Sequence, residues 1–326
     1  MSPLPMQAYR APRWLPGGHA QTIWPALFST RFEGGAPVYR RERWATPDAD
    51  FIDVDWQGDD TAAPLLVQFH GLEGASSSHY AQAFAHWARE NGWRFCVPHF
   101  RGCSGELNLA PRAYHSGDFE EIGWILGRVR AQHAGAIVAV GVSLGGNALL
   151  RWAEEAGDTA RATAGAVCAV SSPVDLAASG QSIGRGFNRQ VYTRMFLHSM
   201  KPKALRKLAQ HPRLFDRERL LAARDLYAFD NVFTAPLHGF ADTDDYWRRG
   251  SAKPHLHRIR LPALVLNARN DPFVPAGSLP LATQVGSHVT LWQPAHGGHV
   301  GFPQGRWPGH LMTLPEQVMG WLAQHI

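Results

Sequence analysis

Short apolar runs recur along the chain, and their character changes partway. The first two, Val38–Trp44 and Phe51–Trp56, alternate apolar and polar residues. That period of two suits antiparallel edge strands with one solvated face. The later runs are Pro64–His70, Trp93–His99, Ala136–Val142, Gly165–Ser171, Pro262–Asn267 and His288–Trp292. They are nearly continuous in apolar residues, as in parallel strands covered on both faces. Between them, apolar positions spaced at three and four predict helices over His79–Asn91, Asp118–His133, Asn147–Ala156 and Pro315–His325. Alternating strands and helices predict an α/β fold with a mostly parallel eight-stranded sheet flanked by helices, in one domain over 1–326.

Two stretches break this rhythm. About 30 N-terminal residues are rich in Pro, Trp and Gly without a clear period, and they read as an arm wrapped over the domain. Residues of about 174–258 fall between the sixth and seventh strands. They are polar, helical in pattern at Lys203–His211 and Arg217–Tyr227, and carry Phe, Tyr and Met. An insertion at that point is expected to form a helical lid above the carboxyl edge of the sheet.

Composition narrows the class. The 326 residues are 45% hydrophobic and 18% charged, which suits a globular protein with a large core. The net charge of +5 is scattered, apart from Arg40-Arg41-Glu42-Arg43. That run reads as a solvated strand end, and no nucleic-acid partner is expected. The N-terminus lacks a signal-peptide pattern, and no window approaches about 18 consecutive apolar residues. No integral membrane segment and a cytoplasmic location are the expectations. Three cysteines are too few and odd in number for a disulfide framework. Cys96 and Cys168 lie in buried strands, whereas Cys103 lies in a loop and is open to reactivity.

The chemistry centres on Gly141-Val142-Ser143-Leu144-Gly145, placed between a strand and a helix. A serine on a sharp strand-to-helix turn is how an α/β-hydrolase exposes its nucleophile. The pattern alone is weak in a chain with 32 glycines, so its partners must carry the reading. A serine hydroxyl needs an adjacent base, and in this fold the acid and then the histidine follow it in the chain. Asp271, in Asn270-Asp271-Pro272 just past the seventh strand, is the candidate acid, with Asp175 second. Two histidines, His296 and His299, share the glycine-rich loop after the last strand, and spacing does not choose between them. The oxyanion hole requires two backbone N–H groups. Leu144 follows the serine, and Leu72 lies in His70-Gly71-Leu72-Glu73-Gly74 after the third strand. His70 itself reads as structural. With no metal-ligand spacing and no phosphate-binding glycine loop, neither metal nor organic cofactor is expected.

These residues resemble the YheT-like (AB-hydrolase 4) branch of the α/β-hydrolases over nearly the whole chain. Trp14-Leu15-Pro16-Gly17-Gly18-His19-Ala20-Gln21-Thr22-Ile23 is similar to that family's N-terminal arm, and His70-Gly71-Leu72-Glu73-Gly74 to its oxyanion loop. Phe100-Arg101-Gly102-Cys103-Ser104-Gly105 and Tyr114-His115-Ser116-Gly117-Asp118 resemble its segment after the fourth strand. Asp230, Gly239-Phe240, Asp245-Tyr246, Ser251 and Asn270-Asp271 resemble its lid-to-acid signature; Trp247 departs from it, a tyrosine being usual there. Gly298-His299-Val300-Gly301-Phe302 resembles its histidine loop, and this favours His299 as the base. The resemblance implies a small-molecule ester substrate, of short- to medium-chain acyl type, cleaved by Ser143, His299 and Asp271. A thioesterase or lipase would use the same residues. A non-catalytic binding protein on this scaffold is a different class of reading.

Overall fold

A computed structural model describes residues 8–326. Its centre is one eight-stranded sheet: β1 (Arg40–Ala45), β2 (Phe51–Gln57), β3 (Leu65–Phe69), β4 (Arg94–Pro98), β5 (Ile137–Val142), β6 (Ala166–Val170), β7 (Ala263–Leu266) and β8 (Val289–Trp292). The spatial order is β1-β2-β4-β3-β5-β6-β7-β8. Only the β1–β2 and β2–β4 pairs are antiparallel. The six strands from β4 to β8 run parallel, so their carboxyl ends open on one edge.

Helices α1 (Gly18–Leu27), α2 (His79–Glu90), α3 (Phe119–Gln132), α4 (Leu144–Ala156), α5 (Ala160–Thr163) and α13 (Thr313–Leu322) flank the sheet or its edges. The remaining helices, α6 (Leu176–Ile183), α7 (Gly186–Asn188), α8 (Arg194–Gln210), α9 (Arg217–Ala222), α10 (Leu226–Val232), α11 (Thr234–Leu237) and α12 (Thr243–Gly250), lie between β6 and β7. Four of these helices start on an aspartate. Asp175, Asp216, Asp225 and Asp242 each accept the N–H three residues on and cap α6, α9, α10 and α12.

Two apolar layers cover the sheet. Ile52, Val54, Val67, Ile125, Leu149 and Val265 belong to one; Leu66, Phe84, Val97, Val140, Leu264 and Met319 belong to the other. Val140 and Val142 are fully buried, and so is Cys168. This is why β3 to β7 read as apolar throughout: both faces of each strand are covered.

The structure corrects the expectation for β2. It is not an edge strand but is paired on both sides, and Asp53 and Asp55 are buried on it. Each faces its register partner on β1, with Arg43 Nε 2.8 Å from Asp53 and Arg41 Nε 2.7 Å from Asp55. The alternation in β2 records ion pairing beneath two arginines rather than exposure to water. The Arg40–Arg43 run is correspondingly a ladder partner, not only a solvated end. At the other edge, β8 is only partly buried although its sequence is apolar.

Residues 1–7 of the expected arm lie outside the described residues. The remainder is not irregular: it contains α1, which packs against the loops after β7 and β8. A Cβ on Gly18 would lie 1.9 Å from the Asn270 carbonyl oxygen, and one on Gly301 would lie 1.8 Å from that of Gln21. Only glycine permits this approach. No helix among the described residues is long and apolar enough to cross a membrane.

Candidate active site

Ser143 stands between β5 and α4 with φ 52° and ψ −120°, a strained conformation for a residue with a side chain. Its N–H is anchored to the Val170 carbonyl at 2.8 Å. The glycines around it are required by contact. A Cβ on Gly141 would meet the Gly145 carbonyl oxygen at 2.5 Å, one on Gly145 the His70 carbonyl oxygen at 2.4 Å, and one on Gly146 the Ser172 hydroxyl at 1.9 Å. Helix α4 begins at Leu144, three residues before the expected start, so its N-terminus directly follows the serine. Positive potential at that terminus favours a developing anion there.

Three of the expected side chains meet. His299 Nε2 lies 3.0 Å from Ser143 Oγ, and His299 Nδ1 lies 2.9 Å from Asp271 Oδ2. An ionised carboxylate can only accept, so Nδ1 carries the proton and Nε2 is free to accept from the serine hydroxyl. Asp271 is 5% exposed, and its other oxygen accepts the Phe273 N–H at 2.7 Å and the Val274 N–H at 3.3 Å. The Phe273 ring stacks on the His299 imidazole with centroids 4.1 Å apart. The Asp271 carboxylate and the His299 imidazole are thus each fixed in orientation by a further contact.

The alternatives lie elsewhere. His296 is exposed, with Nδ1 3.5 Å from Asn270 Nδ2. Asp175 caps α6 through the Ala178 N–H and lies 3.8 Å from Lys253 Nζ. Neither reaches Ser143. The sequence also concealed how the histidine loop is held. Thr22 Oγ1 accepts the His299 N–H at 2.8 Å, and Gln21 Oε1 accepts the Gly297 N–H at 3.0 Å. Asn270 Oδ1 accepts the Gly298 N–H at 3.0 Å, and its amide donates to Gln21 Oε1 at 2.9 Å. Two adjacent polar residues on the buried side of α1 were the available signal, but their partners lie at the far end of the chain.

The loop after β3 runs beside the serine. Gly71 donates its N–H to Tyr80 Oη, and Glu73 donates its N–H to Tyr114 Oη, both at 2.9 Å. Leu72 between them and Leu144 beyond the serine both line the cavity, and neither N–H has an acceptor among the described residues. His70 is fully buried: Nδ1 donates to the Gly71 carbonyl at 2.8 Å, and Nε2 accepts the Phe100 N–H at 3.0 Å. Burial, with His99 nearby, pushes its pKa down to about 3, so it is a neutral tether between two loops.

A cavity of about 160 Å³ opens above Ser143 and His299. Ile183, Phe196, Met200, Phe229 and Phe233 from the helices between β6 and β7 supply much of its apolar wall. Asp230 also lines it, accepting from Thr234 Oγ1 at 2.6 Å and Trp247 Nε1 at 3.0 Å. Trp247, at the position that departs from the resemblance, therefore supplies a hydrogen-bond donor to this acid. Burial raises the Asp230 pKa to about 6 against these two bonds. Cys103 is held as a thiol, since burial pushes its pKa up to about 12. The thiolate on which cysteine reactivity depends is thereby disfavoured, although Lys203 Nζ lies 3.7 Å from the sulfur.

Comparison with known proteins agrees with this architecture. Residues 64–305 match the family model described as alpha/beta hydrolase fold. The chain is 38% identical to the Escherichia coli protein named "Putative esterase YheT", over 94% of this chain and 91% of that one. It is 28% identical to the mouse protein named "Phospholipase ABHD3", over 94% of this chain and 76% of that one. Among solved structures, the Pyrococcus furiosus esterase Pf2001 superposes with a TM-score of 0.53 at 16% identity, covering 88% of this chain and 94% of that one. Sheet order, matched span and identity together place this chain in the α/β-hydrolase family, in its YheT-like branch.

Proposed function

We propose that this protein is a serine hydrolase that cleaves carboxylic esters of short- to medium-chain acids through an acyl-enzyme. The observation that carries the reading is the continuous hydrogen-bonded path from Ser143 through His299 to Asp271, with contacts of 3.0 and 2.9 Å. Ser143 Oγ attacks the ester carbonyl carbon while His299 Nε2 takes the hydroxyl proton. Asp271 holds the imidazole and stabilises it when charged. The Leu72 and Leu144 N–H groups stabilise the tetrahedral oxyanion, a contribution typically worth about 3–4 kcal/mol per donor. His299 then passes its proton to the departing alcohol. Water, deprotonated by the same nitrogen, releases the acid and restores the serine.

The segment 174–258 serves in this reading as the lid over the acyl site. Its support is the apolar wall that Phe196, Met200, Phe229 and Phe233 present to the cavity above Ser143. The relatives' names, an esterase and a phospholipase, belong to the same reaction class. The test is labelling with a fluorophosphonate and hydrolysis of p-nitrophenyl esters of increasing acyl length. Labelling and turnover are expected in the wild type and lost in Ser143→Ala. Hydrolysis that survives this substitution refutes the assignment.

A further inference from the structure

Of the loop that carries Leu72, Glu73 is the residue whose conformation needs explaining. Its φ is 58°, in the left-handed region that residues with side chains rarely enter. What holds it there is a closed ring of bonds. The Tyr114 hydroxyl accepts the Glu73 N–H at 2.9 Å and donates to Glu73 Oε1 at 2.9 Å. Tyr114 is itself fixed by stacking on Phe100, with centroids 5.3 Å apart and planes 6° apart. The carboxylate is also reached from the other side of the cavity. Lys203 Nζ, on α8, lies 3.0 Å from it. The side chains of Glu73 and Lys203 are 11% and 33% exposed, so this contact is partly shielded from water.

We propose that Glu73 is a positioning residue: its ion pair to Lys203 and its ring with Tyr114 couple the seat of α8 to the direction of the Leu72 N–H. This rests on the ester-hydrolase reading above. The Glu73 N–H held by Tyr114 belongs to the Leu72–Glu73 peptide unit, which joins at the Leu72 Cα the unit that carries the Leu72 N–H, so tying down the first restricts the second. Shifting α8 pulls on Lys203 and Glu73, and so rotates the donor that precedes Glu73 in the chain. Seating α8 over the cavity then also completes the oxyanion hole. No proton or covalent bond changes hands in this device; it acts through geometry alone.

The experiment uses the full chain and p-nitrophenyl acetate, a substrate too small to depend on the apolar wall. Rates are expressed per active site, titrated with a fluorophosphonate to its end point. Tyr114→Phe and Lys203→Met are expected to lower kcat about 10- to 100-fold with KM changed by less than about threefold, as for an interaction made in the transition state. Lys203→Arg is expected to restore most of the rate. In a Glu73→Gln background, Lys203→Met should cost little more, because the coupling is already broken. Unchanged kcat per titrated site in Tyr114→Phe and Lys203→Met overturns the proposal. So do losses from Glu73→Gln and Lys203→Met that multiply independently. Hydrolysis persisting in Ser143→Ala would instead overturn the ester-hydrolase reading, whatever happens at Glu73.

Discussion

Thr22 Oγ1 accepts the backbone N–H of His299 at 2.8 Å, joining residues 277 positions apart. Gln21 makes the neighbouring contact to Gly297 and ties in Asn270 of the acid loop. Helix α1 therefore holds both loops that bring Asp271 and His299 together. Thr22→Val keeps the shape but leaves the His299 N–H buried without an acceptor, at a cost of about 1–3 kcal/mol. The expected result is a fall in kcat of about tenfold or more, with only a modest fall in Tm. Steady-state kinetics and thermal melting of the purified variant check it.

His296→Ala and His299→Ala separate the two histidines of that loop. His296 is exposed and its ring meets Asn270 rather than Ser143, so its loss should leave esterase turnover within about twofold. His299→Ala should reduce it by about three orders of magnitude or more, as for removal of any member of a working triad. The reverse pattern, read from initial rates on one p-nitrophenyl ester, would move the base to His296.

Glycine substitutions test the elbow against open helix. Gly145→Ala would drive a methyl to 2.4 Å from the His70 carbonyl oxygen, a backbone atom that cannot step aside. A loss of more than about 3 kcal/mol, or no soluble protein, is expected. Gly127 on α3 and Gly320 on α13 have nothing within 4 Å of an added Cβ. Alanine there should stabilise by about 0.5–1 kcal/mol through helix propensity. Urea titrations of the three variants decide.

Asp230 makes stability depend on pH in a definite direction. Its folded pKa of about 6 lies above the ordinary carboxylate value of 3.8. Folding therefore favours the protonated acid, and this contribution is complete below about pH 3.8 and lost as pH rises through about 6. Asp230→Asn removes the charge while keeping an acceptor for Trp247. It should raise stability near pH 8 by up to about 3 kcal/mol, and by much less near pH 4. Urea midpoints at both pH values check the difference. An equal gain at both would mean that the acid is not protonated preferentially in the folded state.

Much of this was legible in the sequence, for identifiable reasons. All eight strands lie where their apolar runs predicted, because most are covered on both faces and little else explains such runs. Ser143 and Asp271 could be singled out as candidates because chain order and loop position are tied to the fold, whereas loop position left His296 and His299 open and the resemblance favoured His299. What escaped was set by partners remote in sequence. β2 read as an edge because Asp53 and Asp55 look solvated until Arg43 and Arg41 are paired to them. Helix α8 begins at Arg194, nine residues before the expected start at Lys203, and runs through Pro202. The arm read as irregular because Gly17, Gly18 and Pro25 weaken any local helical signal. Packing against the acid and histidine loops is what α1 gains instead.

That packing has a consequence for synthesis. Residues near the start of the chain wait, through the emergence of the whole sheet, for Gly297 and His299 near its end. In the proposed reading, a partial chain that stops short of residue 299 lacks the base that activates Ser143. The clasp between Gln21 and Gly297, 276 positions apart, can form only after residue 297 has been made. In the proposed reading, activity therefore begins only when this loop has closed on α1.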